Sequence, residues 1–349
     1  MSSNICVVIP AYNASRTIGD VTRGALKHIS RVFVADDGST DATGVNASAA
    51  GAEVITIDKN KGKGNALKLL FQRAMKEGYD SVISMDADGQ HDPNEIPKFI
   101  AMHNMYPDSI ITGSRMHEKE KIPRSRYNSM HIARFYISLA ANQFIEDTQC
   151  GFRLYPLSLI KEIQLVTGKY VTETELLMKV GDMGASIKLV NIRTIYNENG
   201  SHFRPIADIT NITAYVISYI QMKWLIEGVT SDNPYTYSPK CHPRDLISKN
   251  KTLDVLFQIL SVFGALPASV FYLIEYIFLP FVIPNNFASI RKLKCGFSRI
   301  TIATQMLPVV PLVGIVEKVG NKIGFKLNLV DGIVNRFFPD LWNNNKLMK

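Results

Sequence analysis

Short apolar runs rich in Val and Ile alternate along the first half of the chain with longer stretches whose apolar residues recur at helical spacing. Ile5 to Ile9, Arg31 to Ala35, Val54 to Ile57, Ser81 to Met85 and Ser109 to Thr112 read as strands. Ser15 to His28, Asn65 to Lys76 and Ile96 to His103 read as helices. Short strands alternating with helices of about a dozen residues predict βαβ units, an α/β class and a parallel sheet covered on both faces. In such sheets ligands bind beyond the carboxyl ends of the strands. The polar clusters Tyr12-Asn13, Asp36-Asp37 and Asp86-Asp88 each follow a predicted strand, so all three should meet in one crevice.

The last cluster carries the most specific chemistry. Residues i and i+2 of a strand point the same way, so Asp86 and Asp88 at a strand end aim two carboxylates into one small volume. Two like charges there need a cation. Hard oxygen ligands suit Mg²⁺ or Mn²⁺, with the remaining positions left to water and substrate phosphates. A bare Asp-x-Asp is also what an ordinary surface turn looks like, because Asp, Gly and Pro form turns readily. The Gly62-Lys63-Gly64 loop, with Lys61, offers backbone amides and ammonium groups to a phosphate, or serves simply as a helix N-terminal turn. It lacks P-loop spacing. No GxGxxG follows the first strand, which argues against a dinucleotide-binding dehydrogenase. PAYNAS at that place is also not the Gly-rich basic loop of a nucleotidyltransferase.

Taken together the motifs resemble a known family. VVIPAYN (Val7 to Asn13), VADDGSTD (Val34 to Asp41), NKGKGNAL (Asn60 to Leu67) and MDADGQHDP (Met85 to Pro93) resemble the family 2 glycosyltransferases. GSR (Gly113 to Arg115), DTQCGFRLY (Asp147 to Tyr155) and TETELLMKVGDMG (Thr172 to Gly184) resemble the branch of dolichol-phosphate mannose synthases and polyprenyl-phosphate glycosyltransferases. The resemblance spans roughly residues 4 to 225. It implies a GT-A fold, a nucleotide-diphosphate sugar donor, a divalent metal and inversion at the anomeric carbon. It further implies that Pro10, Tyr12, Asn13 and Asp37 surround base and ribose with support from Asp36. On the same basis Asp86 and Asp88 hold the metal, with Gln90 as a further ligand and His202 as a late ligand to metal or diphosphate. Arg204, two residues from His202, and Lys63 would face the donor.

An inverting transferase needs an in-line nucleophile. A hydroxyl acceptor needs a general base, whereas a phosphate acceptor needs cations. Glu173 and Glu175 lie two apart on a predicted helix and diverge, so one at most should reach the site. The family usually carries its site acid at the position of Glu173, although acids also open helices merely to suit the helix dipole. Arg115, Arg126 and Arg153 are the candidate cations for an acceptor phosphate, because the arginine fork matches phosphate oxygens two at a time. Arg124 reads as a solvated loop residue in the polar His117 to Arg126 stretch. A processive QxxRW motif is missing, since Gln221 and Trp224 have the wrong spacing.

Charge divides the chain. Residues 1–239 carry 25 Lys/Arg and 25 Asp/Glu, while residues 240–349 carry 14 and 6, so the whole net charge of +8 falls in the last third. Apolar runs rather than stacking aromatics separate those basic residues, which favours anionic lipid over nucleic acid. Residues 255–274 and 300–316 are uncharged and flanked by Lys249, Lys251, Arg291, Lys292, Lys294 and Arg299. A spanning segment, a re-entrant or interfacial pair of helices, and a soluble appendage all fit this pattern, and membrane association is the expectation. Cys6, Cys150, Cys241 and Cys295 match no zinc spacing, and the first residues lack the pattern of a signal peptide.

The organisation expected is therefore a GT-A catalytic domain at residues 1–230, a basic Pro-containing linker at 231–251 and a helical membrane-associated region at 252–349. The reaction expected is transfer of one sugar to a polyprenyl phosphate at the cytoplasmic membrane face, with Mg²⁺ or Mn²⁺ and membrane lipid but no nucleic acid as partners. Transfer to a hydroxyl of a glycan or glycolipid is the alternative within the same chemistry. A non-catalytic nucleotide-binding membrane scaffold is the alternative outside it, and the presence of both Asp86 and Asp88 speaks against that.

Overall fold

The computed structural model describes residues 4–121, 130, 133–134, 136–138, 140–193, 195, 205–230, 243–259, 261 and 322. They form two compact units, one of residues 1–134 with 145–209 and one of 135–144 with 210–349. The first unit is an α/β domain. Its elements run β1 (Ile5–Ala11), α1 (Ile18–Leu26), β2 (Val32–Asp36), α2 (Thr43–Ala49), β3 (Glu53–Thr56), α3 (Lys63–Lys76), β4 (Ser81–Ser84), α4 (Ile96–Met105), β5 (Ile110–Ser114), β6 (Arg153–Pro156), α5 (Leu157–Lys161), α6 (Val171–Asp182) and β7 (Ile187–Asn191).

Seven strands form one sheet in the order β3-β2-β1-β4-β6-β5-β7. β1 pairs in parallel with β2 and β4, β2 with β3, and β5 with β7. β6 alone runs antiparallel, between β4 and β5. The alternation of apolar runs predicts β1 to β5; antiparallel β6 and parallel β7 are not among the strands it gives. Every residue of β1, β2 and β4 is buried, as expected for strands covered on both faces.

Register sets the position of the site. Ala11 lies opposite Asp36, and Val8 opposite Ser84, so the carboxyl ends of β1, β2 and β4 open on one edge. The chain leaves β1 toward β2 on one side and returns as β4 on the other. That switch in direction creates the crevice in which open α/β sheets bind ligands. Helix α3 packs beneath it through buried Ala66, Leu67, Leu70, Phe71 and Ala74, spaced three and four apart on one face. It ends at Gly78, whose φ of +80° is the left-handed conformation that terminates a helix most cheaply in glycine. Phe99 and Phe152 stack with centroids 4.3 Å apart below the β4 edge, each ring contributing about 2 to 3 kcal/mol by burial.

In the second unit, buried Lys223 donates to the carbonyl of Ala140 at 2.7 Å. Buried Arg244 lies 5.0 Å from the centre of the Tyr215 ring, donates to Ser218 Oγ at 3.1 Å and pairs with Asp254. Pro243–Ser248 (α8), within the stretch read as linker, is helical, as is Pro205–Thr230 (α7). No helix among the described residues is long and apolar enough to cross a membrane. Most of the runs at 255–283 and 300–316 lies outside the described residues.

Candidate active site

A cavity of about 860 Å³ occupies the crevice, lined at the β1 end by Pro10, Tyr12 and Asn13, at the β4 end by Asp86 and Asp88, and between them by Asp37 and Lys63. Seven residues singled out from the sequence thus converge on one space. The loops holding them are tied to one another. Asn13, at φ +47°, donates its amide to Ser39 Oγ at 3.0 Å, and its Oδ1 accepts the Thr40 amide at 2.8 Å. Asp36 stays behind this wall. Its Oδ1 accepts the Ser39 amide at 3.1 Å, and a Cβ on Gly44 would lie 2.6 Å from its Oδ2, so the glycine lets α2 approach.

Asp37 does more structural work than a base contact requires. Its two carboxylate oxygens accept the amides of Lys61 and Gly62 at 2.8 and 2.7 Å, which clamps the Lys61 to Lys63 loop against β2. The clamp delivers Lys63 to the first position of α3, whose N-terminus, positively polarised, faces the cavity at Gly62 and Lys63.

Lys63 Nζ lies 2.6 Å from Asp86 Oδ1 and 2.9 Å from Glu173 Oε2. Burial works against the charge on both Lys63 and Asp86, and their pairing overrides it. Asp86 and Glu173 raise the lysine above its ordinary range, while Lys63 and His91 hold the Asp86 carboxyl down at about 2. His91 is buried, and its Nδ1 accepts the Asp86 amide at 3.1 Å, which leaves Nε2 to carry the proton and face Asp86 Oδ2 at 3.9 Å. Burial brings its pKa to about 4, so the ring is neutral at physiological pH. Asp88 Oδ1 accepts the Gln90 amide at 2.9 Å, and the Gln90 carbonyl accepts the Ile195 amide at 3.0 Å, fixing the turn. Gln90 itself does not line the cavity.

The two glutamates of α6 have separate fates. Glu173 joins the Lys63 cluster, whereas Glu175 is fully buried, pairs with Lys179 at 2.6 Å and accepts the amides of Val166 and Thr167 at 3.0 Å each.

Two of the arginines assigned to an acceptor phosphate are found elsewhere. Arg115 is buried against Asp147, with Nε 2.8 Å from Oδ2 and Nη2 2.9 Å from Oδ1. Arg153 is buried and donates to the carbonyls of Glu173 and Thr148 at 2.9 and 2.8 Å, joining the start of α6 to the loop before β6. Neither lines the cavity. Arg126, His202 and Arg204 lie outside the described residues.

His91, Asp147, Gly151 and Tyr170 were not singled out from sequence. The first three sit inside quoted motifs, and their roles depend on partners distant in the chain. Gly151 is a close-approach glycine, because a Cβ there would lie 2.7 and 2.9 Å from the two Asp86 oxygens. Tyr170 lines the cavity with its ring 5.8 Å from Lys63 Nζ.

Among the described residues no group of three or more His, Cys, Asp or Glu side chains is arranged to hold a metal. Of the five aspartates that line the cavity, Asp86 and Asp88 are two hard carboxylates two residues apart just beyond β4. That is the set a Mg²⁺ or Mn²⁺ ion sharing its coordination with a diphosphate requires, so these residues fit such an ion.

Sheet order, strand-end carboxylates and cavity together define a GT-A-like α/β domain. The Glycosyl transferase family 2 model matches residues 6–164, and the chain belongs to that family and is a glycosyltransferase. It is 30% identical over 200 residues to the uncharacterized protein MJ1222 of Methanocaldococcus jannaschii, covering 56% of this chain and 82% of the relative. It is 29% identical over 217 residues to the UDP-N-acetylglucosamine–dolichyl-phosphate N-acetylglucosaminyltransferase of Methanococcus voltae, covering 56% and 86%. In fold it is similar to glucosyl-3-phosphoglycerate synthase from Mycobacterium tuberculosis, crystallised with Mn²⁺, UDP and phosphoglyceric acid. There the TM-score is 0.50 at 22% identity, covering 62% of this chain and 77% of that one.

Proposed function

We propose that this glycosyltransferase moves one sugar, with inversion, from a nucleotide-diphosphate sugar to a polyprenyl phosphate at the cytoplasmic face of a membrane, using Mg²⁺ or Mn²⁺. The observation that carries the reading is the convergence of Asp86, Asp88, Lys63 and the α3 N-terminus on one cavity, with the Lys63 ammonium in contact with Asp86. Carboxylates suited to a divalent ion, beside a lysine and a helix N-terminus suited to an anion, are what a diphosphate with its metal needs. Tyr12 and Asn13 close the far end, where the nucleoside would lie.

A divalent ion held by Asp86 and Asp88 would supply Lewis-acid neutralisation of the departing diphosphate. Lys63 and the α3 amides would stabilise the same charge. The acceptor attacks the anomeric carbon from the side opposite the leaving diphosphate, which inverts it. Glu173 Oε2 is engaged by the Lys63 ammonium, which supports an acceptor that arrives already anionic over one that must be deprotonated there. Arg126 is the cation proposed to meet that acceptor, and Arg204 and His202 are proposed to face the donor. Arg115 and Arg153 are proposed to act by positioning. The dolichyl-phosphate acceptor in the name of the Methanococcus voltae relative supports the lipid-phosphate reading. The basic, apolar last third supports attachment to anionic lipid.

The test is transfer of label from a panel of nucleotide sugars, with Mn²⁺ or Mg²⁺ and a polyprenyl phosphate, into an organic-extractable product. Label in the organic phase that EDTA abolishes is the expected result. Metal-dependent donor hydrolysis with no organic label would move the acceptor to a hydroxyl.

A further inference from the structure

The ammonium of Lys63 occupies one oxygen of Asp86, a carboxylate assigned above to the metal. Nζ is 2.6 Å from Asp86 Oδ1, the other oxygen faces the His91 ring at 3.9 Å, and the backbone at Gly151 closes the carboxylate from a third side. The carboxylate is only partly exposed, with 27% of its side chain accessible, so little of its surface is left for a second cation. Two positive charges held against one carboxylate that is only partly exposed to water repel each other. A metal cannot take Asp86 while Lys63 keeps it.

Lys63 has a second anchor that lets it leave. Its Nζ is also 2.9 Å from Glu173 Oε2, and it sits at the first residue of α3 on the cavity wall. A lysine side chain turning about four single bonds can keep the Glu173 contact while swinging its remaining N–H donors toward an anion in the cavity. A diphosphate arriving there offers the ammonium new acceptors at the moment it offers the metal new ligands.

We propose that Lys63 is a resident counter-cation for Asp86 that couples metal entry to donor entry: the lysine blocks the metal until a nucleoside diphosphate draws it away. This deepens the reading above and rests on its assignment of Asp86 and Asp88 as the metal carboxylates. Each ligand then raises the affinity of the other by the same factor, as linkage requires.

The test is Mn²⁺ binding to the full chain, followed by the electron paramagnetic resonance signal of free Mn²⁺, with and without UDP or GDP. For the wild type, Mn²⁺ alone should bind weakly and one of the diphosphates should tighten it by about tenfold or more. Lys63→Met should bind Mn²⁺ without nucleotide about tenfold more tightly than wild type, and the gain from nucleotide should shrink by the same factor, leaving only what the diphosphate's own ligation of the metal supplies. Lys63→Gln keeps hydrogen-bonding capacity toward Asp86 and Glu173 without the charge, and should behave likewise if Lys63→Met does not fold. Equal or weaker Mn²⁺ binding by a folded neutral variant, in a protein whose wild-type binding is lost in Asp88→Asn, overturns the proposal and leaves the metal site standing. Absence of Mn²⁺ binding in every variant, with and without nucleotide, overturns the metal-dependent reading and this proposal with it.

Discussion

Arg115 and Asp147 form a closed, buried fork in which Nε and Nη2 of the guanidinium meet Oδ2 and Oδ1 of the carboxylate at 2.8 and 2.9 Å. Asp147 also accepts the amides of Gln149 and Cys150, each at 3.1 Å, so the pair fixes the loop that carries Gly151 to Asp86. Removing one partner leaves the other charged and buried. Asp147→Asn is expected to lower unfolding free energy by about 3 kcal/mol, measured by urea denaturation at neutral pH. Unchanged stability would mean that the fork does not hold the loop.

The same pair predicts an acid limb. Burial opposes the charge of Asp147, but Arg115 and the loop amides lower its pKa below the ordinary 3.8. The unfolded chain therefore takes up this proton at higher pH than the native one. Its stabilisation is complete above the ordinary value and is lost as pH falls toward the native value, from about pH 5 downward. Urea midpoints measured across that window should fall more steeply in the wild type than in Asp147→Asn.

Asp88→Asn retains an oxygen that can accept the Gln90 amide, so the turn should survive while the metal carboxylate is lost. Transfer activity is expected to drop about 100-fold, with thermal stability little changed. A loss smaller than about tenfold would remove Asp88 from the metal role.

Gly64→Ala tests whether α3 and α6 must approach closely. A Cβ there would lie 2.5 Å from the Lys169 carbonyl oxygen and 2.7 Å from Thr172 Cβ, backbone and near-backbone atoms that cannot swing aside. A destabilisation of about 1 to 3 kcal/mol is expected, with weaker nucleotide binding because the Lys63 to Glu173 contact is pushed apart. Calorimetric titration with UDP or GDP reads the second effect; full affinity would show that the contact is dispensable.

The acceptor class separates two variants. With a polyprenyl phosphate, Arg126→Ala should cost more activity than Glu173→Gln, whereas a hydroxyl acceptor reverses that order. Glu175→Gln serves as a control: its carboxylate is spent on Lys179 and on two amides, so it should lower stability without distinguishing the acceptors.

The alternation of apolar runs and helical stretches was enough to predict strands β1 to β5, because strand and helix periodicities are local properties of the side chains, while the half-exposed β7 and antiparallel β6 gave no such run. Placing Tyr12, Asp37, Asp86 and Asp88 in one crevice needed only the rule that parallel strands share an open end, and the cavity contains all four. The family was also legible, since its motifs lie in short contiguous segments. What the tertiary structure alone decided were the pairings between charges far apart in the chain. Antiparallel β6, inserted between β4 and β5, brings Gly151 to Asp86 and buries Arg153 on the Glu173 carbonyl. Arg115 turned to Asp147, Asp37 to the Lys61 and Gly62 amides, and Lys63 to both Asp86 and Glu173. Long charged side chains reach many partners with similar ease, and composition and spacing carry no information about which one lies within 3 Å. Burial makes that choice, because each charge withdrawn from water must take the counter-charge or amide that the fold places beside it.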